Sequence, residues 1–250
     1  MKKYLSVYGL FARHSIVKIV ILILCMATAE CVIFYRALNA ALTDYALSGY
    51  MMRLEGMIGD CIIPCLAIAF ALISVELYRA GLEKASKCGY TLHRLRISER
   101  AIYLCQTAYN ATVYVLLLVA QIALAFGLAA YYVTCAPADT VSNQTVLLAF
   151  YRSHILHSLL PLADGWLHVR NALLIVALAL SSALFPYHQR KRKFAISTFI
   201  VALFAIFTFV RDIGQIEFLI FTVFILVCVA IAVALAVFGK EEDYEDSRDS

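Results

Sequence analysis

The chain has 250 residues, a formal net charge of +4, 63% hydrophobic residues and only 15% charged ones, where an ordinary soluble domain carries roughly 25% charged residues. That balance excludes a water-soluble fold, and the apolar residues stand in long blocks rather than short alternating runs, which excludes an outer-membrane barrel. Membrane-crossing helices are the architecture that leaves no backbone polar group unsatisfied in lipid.

The first element starts at Met1-Lys2-Lys3, two lysines ahead of an apolar stretch in the manner of a signal peptide. The stretch runs on through Glu30 to Tyr35, however, so the expectation is a retained first span. A helix needs about 20 apolar residues to cross the hydrocarbon core, and six segments meet that length or come near it: 16–35, 57–75, 111–133, 166–187, 194–210 and 218–238. An all-α, polytopic membrane domain over 1–239 is expected, with Trp166 and Tyr187 anchoring the fourth span. The last segment, 240–250, holds six acids against Lys240 and Arg248 and reads as a disordered tail.

Basic residues near span ends are retained on the cytoplasmic side. Of the 21 Lys and Arg, all but Arg36, Arg53, Arg152, Arg170 and Arg211 fall on one face of a six-span arrangement. Both termini are therefore expected in the cytoplasm, with residues 36–56, 134–165 and 211–217 outside.

Cys25, Cys31, Cys61, Cys65 and Cys228 sit in apolar blocks, without CxxC or zinc spacing. They read as small hydrophobes. His154 and His157 share a helix face, yet no Cys or acid completes a ligand set, so no metal site is expected. The segment Val146 to Leu160, ended by Pro161, is apolar enough to form a helix lying in the outer interface. No GxSxG elbow, HExxH motif or Walker-type glycine loop is present. No catalytic residue and no nucleic-acid partner are expected.

The most informative loop is cytoplasmic. Gly89 breaks the chain, and Leu92, Leu95 and Ile97 alternate with Arg94, Arg96 and Arg100 in a short amphipathic pattern suited to a membrane surface or a partner protein. Glu76, the segment Gly89-Tyr-Thr-Leu92 and the segment Leu95-Arg-Ile-Ser-Glu-Arg100 follow one another between the second and third spans. This order resembles the six-helix permease subunit of type-2 ABC exporters. The resemblance implies a coupling helix over Thr91, Leu92, Arg94, Leu95, Arg96, Ile97, Ser98 and Arg100 that docks on a cytoplasmic ATPase, and an interfacial helix over Tyr4 to His14 ahead of the first span. It also implies a second permease subunit and residence in a bacterial cytoplasmic membrane. ATP and Mg would belong to the ATPase chain, with no cofactor here. A stand-alone secondary transporter and a non-transporting scaffold or signalling protein are the other classes compatible with the composition.

Ionisable residues at membrane depth are candidates for function, because leaving them unpaired in hydrocarbon is costly. Glu30, Asp60 and Glu217 lie at comparable depths toward the outer ends of three spans and form the candidate substrate vestibule. The competing expectation is that Glu30 forms a structural pair with Arg36 or reaches outer-leaflet water.

The charge asymmetry makes a direct prediction for thiol labelling. An impermeant maleimide applied to intact cells should react with Cys135 and not with Cys88, and reaction at Cys88 would invert the topology.

Overall fold

The computed structural model describes residues 2–81, 98–142, 144–162 and 165–190, together with isolated positions from 203 to 234. Six helices follow in chain order: α1 Lys2–Ser48, α2 Leu54–Gly81, α3 Glu99–Cys135, α4 Thr145–Arg152, α5 His154–Leu159 and α6 Gly165–Arg190. No strand occurs among the described residues. Among the described residues four stretches, Tyr4–Ser48, Leu54–Arg79, Ala101–Cys135 and Leu167–Leu184, are long and apolar enough to cross a membrane. The chain is a multi-pass membrane protein. Of the expected fifth and sixth spans, only isolated positions are described; Leu203 in one and Ile220, Val223 and Phe224 in the other are helical. The acidic tail lies outside the described residues.

The long helices overrun the expected spans. With a rise of about 1.5 Å per residue, the 47 residues of α1 extend for about 70 Å, more than twice the roughly 30 Å hydrocarbon core. The expected separate interfacial helix over Tyr4 to His14 is instead the beginning of α1 itself. The reason is packing: Val7, Phe11 and Ser15 recur every fourth residue and are buried, so this segment has a protein surface to cover and no cause to bend away. That surface is the start of α3. Tyr109 stacks on Phe11 and shares a 2.6 Å hydrogen bond with Ser15, and the Tyr8 hydroxyl donates to Thr112 at 3.1 Å.

The expected loop of 76–110 is helical at both of its ends. α2 runs to Gly81 and α3 begins at Glu99. Ser98 has extended backbone (φ −61°, ψ 142°), and its hydroxyl accepts from the Ala101 amide, the hydrogen bond that starts a helix. At the other end, Gly49 takes a positive φ of 69° just after α1, a conformation that glycine adopts without steric cost.

α1 packs on α2 and α3, and α6 closes the bundle against α2 and α3. The core divides lengthwise into two apolar clusters. One contains Phe11, Ile19, Met26, Ile73, Leu77, Val113 and Leu117. Lys18 and Glu76 mark its end of the bundle with a 3.1 Å ion pair. The other gathers Phe34, Leu38, Ile58, Cys61, Leu128, Tyr132 and Phe150. Near that end, Tyr45 donates to Asp139 and Tyr132 donates to the Met52 carbonyl at 3.1 Å.

The expected single helix over Val146 to Leu160 is two short helices. Ser153 ends α4 and caps α5, its hydroxyl accepting from the Leu156 amide. Ala149, Phe150, Ile155, Leu156 and Leu159 are buried against the long helices, so the pair is a lid on the bundle end, with only Leu147 and Tyr151 among its large apolar residues exposed. Phe150 stacks on Phe126 with ring centroids 4.5 Å apart.

That docking generates a prediction. Phe150 is 1% exposed and Leu147 is 61% exposed. Phe150→Ala should cost about 3–5 kcal/mol in detergent unfolding, and Leu147→Ala well under about 1 kcal/mol. Equal losses would show that α4 is not seated as described.

Candidate functional site

Glu30 occupies a core position of α1. The buried face of this helix passes through Met26, Glu30, Phe34 and Leu38, four residues apart each time, so a carboxyl takes a place that its neighbours fill with hydrocarbon. Counting along the axis, Glu30 is about 18 Å from Lys18 and about 9 Å from Arg36, well within the apolar layer. It is 0% exposed. Its Oε2 accepts a 2.9 Å hydrogen bond from Nε2 of Gln121 on α3, also 0% exposed.

The expected pairing of Glu30 with Arg36 is therefore not what holds the carboxyl. Six residues at about 100° each turn Arg36 to another side of α1, where it is exposed. The ion pairs among the described residues are Lys18 with Glu76, Arg53 with Glu55 and Arg79 with Glu76. None involves Glu30. On α2, Cys61 and Cys65 are buried one turn apart, close enough to Glu30 to sense its charge.

Neither member of the pair is saturated. Glu30 Oε1 and Gln121 Oε1 are buried with no hydrogen-bond partner among the described residues, and buried polar atoms of this kind are rare because each costs about 1–3 kcal/mol. Gln121 also belongs to a longer pattern. Gln106, Asn110, Tyr114 and Gln121 are all buried, and their spacings of four, four and seven place them within one narrow face of α3. Asn110 donates to Ser182 of α6 at 2.8 Å, and the Tyr114 hydroxyl lies 3.2 Å from that of Ser74 on α2, with Ser182 also in reach. Both amide atoms of Gln106 and Oδ1 of Asn110 lack partners among the described residues.

Between Tyr114 and Gln121 the helices leave a cavity of about 90 Å³. Its wall is largely hydrocarbon from α2, α3, α5 and α6, including Leu66, Phe70, Leu118 and Leu174, with Gln121, Tyr114 and Asn171 as the polar contributors. Asn171 is engaged elsewhere: its Nδ2 donates to the Ser158 carbonyl at 2.8 Å, and its Oδ1 accepts from Arg170. Gln121 alone joins the cavity to Glu30.

Asp60 is exposed and lines a different, open cleft at the end of the bundle, with Glu55, Gly59, Ser153 and His154. Asp60 and Glu30 thus do not line a shared cavity. Glu217 lies outside the described residues, as do Thr91, Leu92, Arg94, Leu95, Arg96 and Ile97 of the expected coupling helix. Ser98 is the cap of α3 and Arg100 stands in its first turn. No group of three or more His, Cys, Asp or Glu that could hold a metal comes together among the described residues.

Gln106, Asn110, Tyr114 and Gln121 were not expected from the sequence, because only ionisable side chains were weighed at membrane depth. Their shared helical register was the available signal. Comparisons of the chain with family models, with curated proteins and with solved structures find no match.

The hydrogen-bond inventory predicts opposite signs for two leucines placed on the same face. Gln106→Leu removes an amide with no partner, and should leave thermal stability in lipid nanodiscs unchanged or raised. Asn110→Leu strands Ser182 and should lower stability by about 1–3 kcal/mol. A large loss in Gln106→Leu would mean that its amide is bonded.

Proposed function

We propose that this chain moves a solute across the membrane and that Glu30, with Gln121, is the point in the bundle where the solute or a coupling ion is held. The observation that carries this reading is a carboxyl at membrane depth, fully buried, bonded once and adjoining a cavity through its partner. Such a group destabilises the apolar core around it, and intramembrane carboxylates are characteristic of ion and substrate pathways. A protein whose only task was to sit in the membrane would be more stable with leucine there.

The proposed energy source rests on the order of sequence segments between α2 and α3. As the membrane-spanning permease subunit of an exporter, the chain would pair with a second permease subunit and take its drive from a cytoplasmic ATPase seated on Thr91 to Arg100. The continuation of α2 to Gly81 and the capped start of α3 at Ser98 support this reading, since rigid helices on both sides would carry a push on the intervening segment into the core. In this orientation the Lys18–Glu76 end faces the cytoplasm of a bacterium, the lid of α4 and α5 faces outward, and the vestibule reaches Asp60 and Glu217 from outside.

A stand-alone secondary transporter is the second reading. It is favoured by the lack of a cation at Glu30: the described partner is a neutral amide, and a carboxyl so placed can exchange a proton or a cation for its drive.

The two readings part in one preparation. Purified from native membranes, the exporter subunit should bring an ATPase in stoichiometric amount, and Leu95→Asp with Ile97→Asp should release it by putting charge into an apolar contact. Purification without an ATPase would remove the ATP-driven form. In either form, Glu30→Gln should abolish transport while the protein stays folded, and full transport by that variant would overturn the assignment of Glu30.

A further inference from the structure

We propose that the buried polar face of α3 is a water-borne proton path leading from the Lys18–Glu76 end of the bundle to Glu30. The path starts at Gln106, both of whose amide atoms are free to bond water. One turn on, Asn110 is tied to Ser182 through its amide nitrogen and has Oδ1 free. Another turn brings Tyr114, whose hydroxyl shares a hydrogen bond with Ser74 and can pass a proton by rotation. The cavity follows, and on its far side Gln121 offers a free Oε1 and bonds Glu30 through Nε2.

Three features make this a path rather than a set of unrelated defects. The unpartnered atoms are ordered along one face of one helix, over about 22 Å from Gln106 to Gln121. They face α1, α2 and α6 and not lipid, since all four side chains are buried in the bundle. The largest spacing, the seven residues between Tyr114 and Gln121, coincides with the cavity. A water needs at least about 10–15 Å³ of such space and two to four polar partners. A volume of about 90 Å³ has room for several waters, and because its wall is mostly apolar, Tyr114 and Gln121 at its two ends are the groups that would hold them. The wet cavity joins Tyr114 to Gln121, and the dry cavity separates them.

At the end of the path Glu30 is bonded to Gln121 from α3, and the titratable groups that feel its charge are Cys61 and Cys65 from α2. No ion pair to Glu30 occurs among the described residues. The last water, oriented by Oε1 of Gln121, hands its proton to the unpartnered Oε1 of Glu30; Gln121 itself carries none, the proton arrives from water at the Lys18–Glu76 end and returns to it, and no bond other than O–H is made or broken. The proposal rests on Glu30 being the working group of the transport reading and adds the side from which it is protonated.

The test reads Glu30 directly, on the full chain in phosphatidylcholine liposomes without cargo or nucleotide, so a failure here and a failure of transport are separate results. At a pH low enough to protonate Glu30, its infrared carboxyl band is assigned by its loss in Glu30→Gln and followed after a switch to D₂O. The wild-type band should shift promptly. Gln106→Leu, at the entrance, and Leu118→Phe, which fills the cavity, should each slow the shift by about tenfold or more, because a proton relay fails when one link is dry. Val115→Phe, on an exposed side of α3, should exchange like wild type; Gln106→Met serves if the leucine variant does not fold. Equal rates in all variants would overturn the path, as would a wild-type band that never shifts. Slowing by Leu118→Phe alone would also overturn it, by showing that water enters at the cavity and not at Gln106.

Discussion

The hydrogen bond between Glu30 and Gln121 stands where the two apolar clusters of the bundle meet. On one side are Met26, Cys65 and Leu117, and on the other Phe34, Cys61 and Ala125. α1, α2 and α3 each contribute to both clusters, so the pair interrupts what would otherwise be a continuous hydrocarbon core. A buried amide–carboxyl contact of this kind is stabilising only relative to leaving either group alone. It commits α1 and α3 to one register, because a slip of either helix would strand both groups in hydrocarbon. Specification of register and availability for function thus come from the same two side chains.

The ends of the bundle are held differently. Near Lys18 and Glu76, α1 and α3 continue past the apolar layer through aromatic contacts and hydroxyl bonds, Tyr8 with Thr112 and Tyr109 with Phe11 and Ser15. At the other end, α4 and α5 fill the space above the long helices, and Arg170 and Asn171 anchor α5 through the Ser158 carbonyl. The middle has fewer such ties, and it is where the cavity lies. A bundle clamped at both ends and loosely filled at its centre suits a role in which the central polar groups change partners.

Much of this architecture was legible in the sequence, and what was not has identifiable reasons. Apolar run length located the four long helices through 16–35, 57–75, 111–133 and 166–187, because in lipid the length of a span is set by thickness. Hydropathy could not place their ends. Val7, Phe11 and Tyr109 are buried beyond the apolar runs, and only a fourfold spacing through Arg13, His14 and Gln106 reports that continuation. The kink between α4 and α5 was missed because Ser153 in an apolar run gave no sign that its hydroxyl would turn back to the Leu156 amide. Glu30 was visible as a charge out of place, but its partner was sought among cations. A neutral amide 91 positions away has no signature in a charge count, whereas the register of Gln106, Asn110, Tyr114 and Gln121 does.

The central claim, that Glu30 and Gln121 act as one unit, is tested most directly by a double-mutant cycle on unfolding free energy in a single lipid preparation, using Glu30→Met and Gln121→Leu. Each single variant leaves a buried polar group alone and should lose about 1–3 kcal/mol, while the double variant, apolar on both sides, should lose clearly less than the sum, with an interaction of at least about 1 kcal/mol. Losses that add to within about 0.5 kcal/mol would contradict the account, since sites that do not share a bond behave that way.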